Sequence, residues 1–221
     1  MAPTRGRRIP AAERAGSHLR ELLFDGKIQP GDQIDQGELA LTLGISRQPV
    51  REAVLELAND GLLVIRPRKG VFVGRFDAKT VRGHYELNGY LEAYAARKVA
   101  QRPDPETIER LRALLDTMQQ TDEPVDIETA STAFYRAVNV ASDNPRIGDT
   151  LRVLRRFVPA PVYERYPSLV AIARTGAASL LAAVEHSDPD AAAEACTTQW
   201  NAAGEVVVAD LVARGIIDED P

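Results

Sequence analysis

The sequence predicts a mainly α protein in two parts: an N-terminal winged helix-turn-helix with a small β-hairpin wing, and a C-terminal antiparallel all-α bundle of about six helices. Three observations predict it. Residues 36–61 read as two short helices around a glycine turn. Residues 62–73 read as two β-branched runs around a basic turn. Residues 77–221 carry helical patterning cut by Asp-Pro and Asn-Pro pairs, with no strand-like runs.

Each element has its own reason. Arg14 to Phe24 forms a first helix, and Pro30-Gly31 marks a turn. A second helix over Gln36 to Leu43 turns Leu39, Ala40 and Leu43 inward, and Gly44 supplies the sharp turn that follows. Ser46 is an N-cap, and Pro49 fits the first helical turn, where a missing N–H costs little. Val50, Ala53, Val54 and Leu57 recur at i, i+3, i+4 and i+7 and form one apolar stripe. Arg47, Gln48 and Arg51 fall on another face, where a helix presents base-reading groups to a DNA major groove. The helix stops near Asn59-Asp60-Gly61, with Gly61 left-handed. Leu62 to Ile65 and Val71 to Val73 then pair as the wing. Arg66, Arg68, Lys69 and Gly70 form its tip, which suits a phosphate backbone or minor groove.

Bundle helices are expected over 78–101, 105–120, 126–141, 145–158, 169–186 and 189–214. Asp104, Asn144 and Asp188 each precede a proline, pairing an N-cap with proline at the first helical position. The organisation is therefore a disordered basic arm over 1–10 (Arg5, Arg7, Arg8), a DNA-binding domain over 11–75, and a helical effector-binding and dimerisation domain over 78–215.

The chain has 221 residues and a net charge of −5. Residues 1–76 hold 12 Lys and Arg against 9 Asp and Glu, and the rest hold 15 against 23. The positive end is the one with the reading helix, and the local field matters more than the total. One cysteine, Cys196, excludes an internal disulfide and a cysteine metal cluster and reads as a small core residue. No apolar run is long enough to span a membrane, and the N-terminus lacks a secretory pattern, so a cytoplasmic location is expected.

The segments Pro30-Gly31, Leu39-Ala40, Gly44 to Ala53 (GISRQPVREA), Asp60-Gly61-Leu62 and Arg68 to Val73 (RKGVFV) resemble the winged helix-turn-helix of GntR-family bacterial transcription regulators. The resemblance implies a homodimer on double-stranded DNA at a short palindromic operator. Arg47 and Arg51 would read bases, Ser46 and Gln48 would add contacts, and the wing would enter the groove. Gly37 departs from the polar or basic residue often found at the start of that helix, which removes a contact. Order and spacing in the second part resemble the effector domain of the FadR-like branch of the same family. The resembling pieces are Glu86-Leu87 and Leu91-Glu92, Phe134-Tyr135 with Asp143-Asn144-Pro145, and Ala183-Val184 with Asp188 and Ala191-Ala192.

Many members of that branch bind a divalent metal through an Asp and three His. Here those positions fall at Ser131, Tyr135, Ala177 and Gln199, and an effector-clamping arginine falls at Asn88. None retains its family residue, so neither a metal nor a cofactor is expected. His18, His84 and His186 are scattered and read as surface or structural histidines. Tyr85, Tyr90, Tyr135 and Trp200 would wall the vacated pocket, with Asn88, Ser131 and Gln199 as neutral partners. Arg152, Arg155 and Arg156 follow on a helix that faces it in relatives. Two readings remain open: an arginine holds an anionic head while the aromatics hold an apolar body, or the arginines are solvated and the site is closed or apolar. The expected effector is a moderately large, partly apolar organic molecule, acidic under the first reading.

The expected function is a sequence-specific regulator, a repressor released by its effector. The alternatives are a metal-responsive regulator of the same family and an effector-independent architectural DNA-binding protein. An enzyme would need paired carboxylates or an oriented histidine in the bundle, and no helix face offers them.

Overall fold

The structure, a computed structural model, describes residues 10–219; the arm expected at the N-terminus lies, apart from Pro10, outside them. The described chain divides into two units. One runs to Asp77 and includes Gly215–Asp218; the other spans Ala78–Arg214.

In the first unit, α1 (Ala11–Phe24) packs Leu19, Leu23 and Phe24 inward. It begins three residues before the expected start, directly after Pro10. Next come β1 (Gln33–Ile34), α2 (Gln36–Leu43) and α3 (Arg47–Asn59), then β2 (Leu63–Arg66) and β3 (Gly70–Val73). Asp35 caps α2, accepting from Gly37 and Glu38 N–H at 2.7 and 3.0 Å. Gly44 (φ 62°) and Gly61 (φ 78°) take the left-handed positions that the turns require. The wing is an antiparallel hairpin in the register Leu63↔Val73 to Arg66↔Gly70. β1 adds a third strand on the far side of β3. Two residues are too short to show an alternating pattern, so this strand had no sequence signal.

The core of this unit is tied by an ion pair that hydrophobic periodicity could not reveal. Arg20, 4% exposed, reaches from α1 to Asp60 at 2.9 Å and Glu56 at 3.5 Å at the end of α3. Phe76 is buried and meets Phe24 edge-on at 5.1 Å, so the segment after the wing is packed into the first unit.

The second unit holds seven helices among the described residues: α4 (Ala78–Gln101), α5 (Pro105–Gln120), α6 (Pro124–Ala141), α7 (Pro145–Leu154), α8 (Val162–Arg165), α9 (Leu169–Glu185) and α10 (Pro189–Ala213). Asp104, Asn144 and Asp188 each cap the helix behind them, as their Pro pairing predicts. Pro124 opens α6 rather than ending the loop before it. Phe134, Met118, Leu111, Leu180 and Val184 form the centre of the core, and Cys196 lies among them, 1% exposed. Helices α4 and α10 approach closely: a Cβ on Gly204 would sit 2.9 Å from Tyr85 Cβ.

Two expectations are corrected here. Helix α7 ends at Leu154, not Val158, and Arg155 becomes its C-cap. The stretch 159–167 is not a plain connector, because it contains α8. Pro159 and Pro161 lack the N–H groups a continuing helix needs and restrict the residues before them. Among the described residues no helix is long and apolar enough to cross a membrane.

Candidate functional site

The first candidate site is the outer face of α3. Burial of Val50, Ala53, Val54 and Leu57 leaves Arg47, Gln48 and Arg51 exposed on the same short helix. Gln48 donates to Glu52 Oε1, one turn on, at 3.1 Å. Ser46 occupies the N-cap position, is exposed, and makes no side-chain capping bond. Gly37 has a positive role: a Cβ there would sit 3.3 Å from Arg47 Nη2 and 3.1 Å from Asp35 Oδ1. The missing side chain leaves room for the arginine beside the cap. Backbone N–H bonds from Glu38 and Gly37 hold the Asp35 carboxyl below its ordinary range, and Arg47 adds to this.

At the wing, Arg66, Arg68 and Lys69 are exposed, and the Arg66 guanidinium lies over the Phe72 ring at 4.7 Å. Gly70 has φ 111°, and a Cβ on it would approach Gln33 Nε2 to 2.8 Å. That amide donates to Lys69 O at 3.3 Å, bridging β1 to the tip. A side chain at Gly70 is thus disfavoured by backbone conformation, and it would also displace the Gln33 amide from Lys69 O.

The second candidate site is a cavity of about 150 Å³ inside the bundle. It lies among α4, α6, α8, α9, α10 and the turn after α7. The structure brings Tyr85, Asn88, Ser131, Tyr135, Arg155, Gln199 and Trp200 to its wall. Three expected members are elsewhere: Arg156, which faces the same open groove as Arg152, Arg152 itself, and Tyr90. Arg152 is on the exposed side of α7, pairs with Asp149 one turn back, and faces an open groove. Tyr90 is 68% exposed, because the inward face of α4 runs through Tyr85, Asn88 and Glu92. The polar lining residues that were missed are His84, Glu128, Thr132 and Tyr163, and the apolar lining was not foreseen residue by residue. Tyr163 lies on the unforeseen α8. His84 stacks on Phe157, ring centres 3.9 Å apart, which no local pattern reveals.

The polar groups of the wall are largely paired with one another. Tyr135 donates to Gln199 Oε1, and Tyr163 donates to Ser131 Oγ at 3.1 Å. Burial, the largest cause in each case, pushes the Tyr85, Tyr135 and Tyr163 hydroxyls above their ordinary range, so all three stay protonated donors at neutral pH. Glu128 Oε2 accepts the Val162 N–H at 2.7 Å and so holds the start of α8. Arg155 pairs with Glu92, which is 0% exposed, and lies 5.6 Å from the Tyr135 ring centre. Burial pushes the Glu92 carboxyl up, while the charge and hydrogen bond of Arg155 and the Asn139 amide oppose that shift. Three lining atoms, Asn88 Oδ1, Arg155 Nε and Trp200 Nε1, are buried with no partner.

The profile of gntR-family bacterial regulatory proteins matches residues 11–73, and that of the FCD domain matches residues 84–201. The chain belongs to the GntR family. It is a DNA-binding transcription regulator whose bundle is an FCD domain. An uncharacterised HTH-type transcriptional regulator of Mycobacterium tuberculosis is 29% identical over 209 residues, covering 95% of this chain and 86% of the relative. The HTH-type transcriptional repressor RspR of Escherichia coli is 35% identical over 82 residues, 37% of this chain and 36% of RspR. Among solved structures, Escherichia coli McbR/YncC superposes with a TM-score of 0.63 at 20% identity, covering 91% of this chain and 99% of that one. The Lar regulator, which controls the Listeria monocytogenes agr system, gives 0.61 at 15% identity, covering 91% and 98%. At such identities the two structures speak for the fold alone.

A metal of the kind many FCD domains hold does not fit this GntR regulator. Ser131, Tyr135 and Gln199 do meet at the cavity, where the resemblance puts the ligands, but they spend their polar atoms on Tyr163 and on each other. Ala177, at the fourth position, is fully buried and has no donor. At the four ligand positions themselves there are hydroxyls and an amide but no imidazole or carboxylate, a poor donor set for a transition metal. Among the described residues no three His, Cys, Asp or Glu side chains cluster to hold one.

Proposed function

We propose that this GntR-family regulator is a repressor that binds a short palindromic operator as a homodimer and is released when a small organic molecule enters the bundle cavity. The observation that carries the reading is the pairing of a helix that exposes Arg47, Gln48 and Arg51 with a cavity whose wall keeps three buried polar atoms unsatisfied. Buried polar groups ordinarily find partners, and a bound molecule supplies them. In the DNA half, Arg47 and Arg51 contact base edges, Ser46 and Gln48 assist, and Arg66, Arg68, Lys69 and the Gly70 backbone follow the phosphates.

The homodimer has a surface suited to it. Leu87, Tyr90 and Tyr94 on α4 are 47%, 68% and 46% exposed and recur at i, i+3 and i+7. Such a stripe on one long helix suits an isologous contact with a second copy. Sedimentation of the Tyr90→Asp variant tests it: a monomer supports the contact, and an unchanged dimer refutes it.

A ligand changes operator affinity only by binding two arrangements of the protein unequally. Arg155 turns at the end of α7, and α10 carries Gln199 and Trp200, so occupancy acts on several helices together. As a reader of genomic DNA the regulator works in the cytoplasm. Selection of bound duplexes from a random pool tests the DNA reading. A short inverted repeat is the expected product, and recovery of unrelated sequences would favour the architectural alternative.

A further inference from the structure

The charges around the cavity restrict what enters it. Arg155 is the arginine of the wall, and it already points at Glu92, a carboxyl with no exposure. Glu128 is the acidic group of the lining itself, while Glu92 is held by Arg155 without being part of it. With Arg155 paired to Glu92 and Glu128 on the wall, these three residues offer no surplus of positive charge. His84 does not change the balance. Asn88 Nδ2 lies 3.0 Å from the His84 backbone carbonyl, which fixes the amide orientation, since reversal would set two oxygens against each other. The same Nδ2 then faces His84 Nε2 at 3.1 Å, an arrangement that suits a neutral ring accepting at Nε2.

That orientation also leaves Asn88 Oδ1 as an acceptor without a donor, on a residue only 1% exposed. Trp200 Nε1 is a donor without an acceptor, and so is Arg155 Nε, whose charge is already matched by Glu92. The rest of the wall includes Leu154, Val158, Leu169 and Ile172. We propose that the cavity takes a small uncharged molecule that both donates and accepts a hydrogen bond, of the amide or lactam class, rather than a carboxylate. Its carbonyl accepts from Trp200 Nε1–H, its N–H donates to Asn88 Oδ1, and its hydrocarbon part lies against the apolar wall. A volume of about 150 Å³ admits a body of roughly benzene size, about six to nine heavy atoms. The inference rests on the effector reading above and narrows it to a smaller and uncharged ligand.

Trp200 is the chain's one tryptophan, so its emission reports on this wall alone. The test titrates the full chain with three matched sets: δ-valerolactam and benzamide, valerate and benzoate, piperidine and benzylamine. The expected result is a change in Trp200 emission and a rise in Tm for the neutral pair, with Kd at least tenfold lower than for either charged set. Asn88→Ala should weaken the amides at least tenfold while far-UV circular dichroism stays unchanged. Glu92→Gln frees the charge of Arg155 and should bring the carboxylates to within tenfold of the amides. Tighter binding of the carboxylates or amines to the unaltered protein overturns the inference but keeps the effector cavity. If no set perturbs Trp200 or Tm, the cavity reading falls with it.

Discussion

Arg51 and Arg20 show how differently two arginines of one domain act. Arg51 is exposed on α3, makes no ion pair among the described contacts, and is held in place by the buried stripe beneath it. Replacing it by Ala should cost about 1–3 kcal/mol in operator binding and relax base preference. Competition gel shifts on single-base operator variants check this, and unchanged selectivity would remove Arg51 from the readout. Arg20 is buried and holds Asp60 and Glu56, so Arg20→Ala should act on stability instead. Both carboxylates keep some access to water, which places the loss at the low end for a broken buried pair, about 3 kcal/mol. Thermal unfolding reads it; a Tm unchanged from the parent would mean that the pair is neutral. The first role was legible because an exposed basic residue opposite an apolar stripe has a meaning within one helix. The second was not, because its partners lie about forty residues away and only packing brings them together.

At the scale of elements, boundaries marked by local chemistry were legible and those set by packing were not. The Asp104, Asn144 and Asp188 caps with their prolines placed the starts of three helices from sequence. The end of α7, the four-residue α8 and the two-residue β1 were missed, since each is too short or too irregular to show a period. The C-terminus of α5 has a similar hidden support. Arg174 on α9 donates to the Met118 and Thr121 carbonyls at 2.8 and 2.6 Å, satisfying orphan acceptors at the helix end. Arg174→Ala should therefore destabilise the bundle by about 2 kcal/mol, the usual worth of charged hydrogen bonds. Urea unfolding of the variant is the measurement, with a lower midpoint expected at unchanged slope.

For the whole molecule, charge separation and coupling are the relevant quantities. The chain is acidic overall, yet the wing is basic and the first turns of α3 expose Arg47 and Arg51. Lys69→Ala should weaken binding to all DNA alike and lower the slope of log K against log salt by about one, the effect of one lost phosphate contact. A loss confined to one operator sequence would instead make Lys69 a base reader. If a molecule in the cavity lowers operator affinity by some factor, the operator must lower that molecule's affinity equally. Trp200 emission measured with and without bound operator checks this reciprocity. What the sequence alone determined is the class of protein and its output. Helix periodicity, caps and the basic wing are local, and local rules specify a winged helix-turn-helix ahead of a helical bundle. It also showed that the family's metal ligands are replaced at Ser131, Tyr135, Ala177 and Gln199. Only the tertiary structure decided what stands in their place: the Arg155–Glu92 pair, the orphan atoms of Asn88 and Trp200, and the small volume between them. Those properties depend on side chains from several helices meeting at one point, and no segment carries that information by itself.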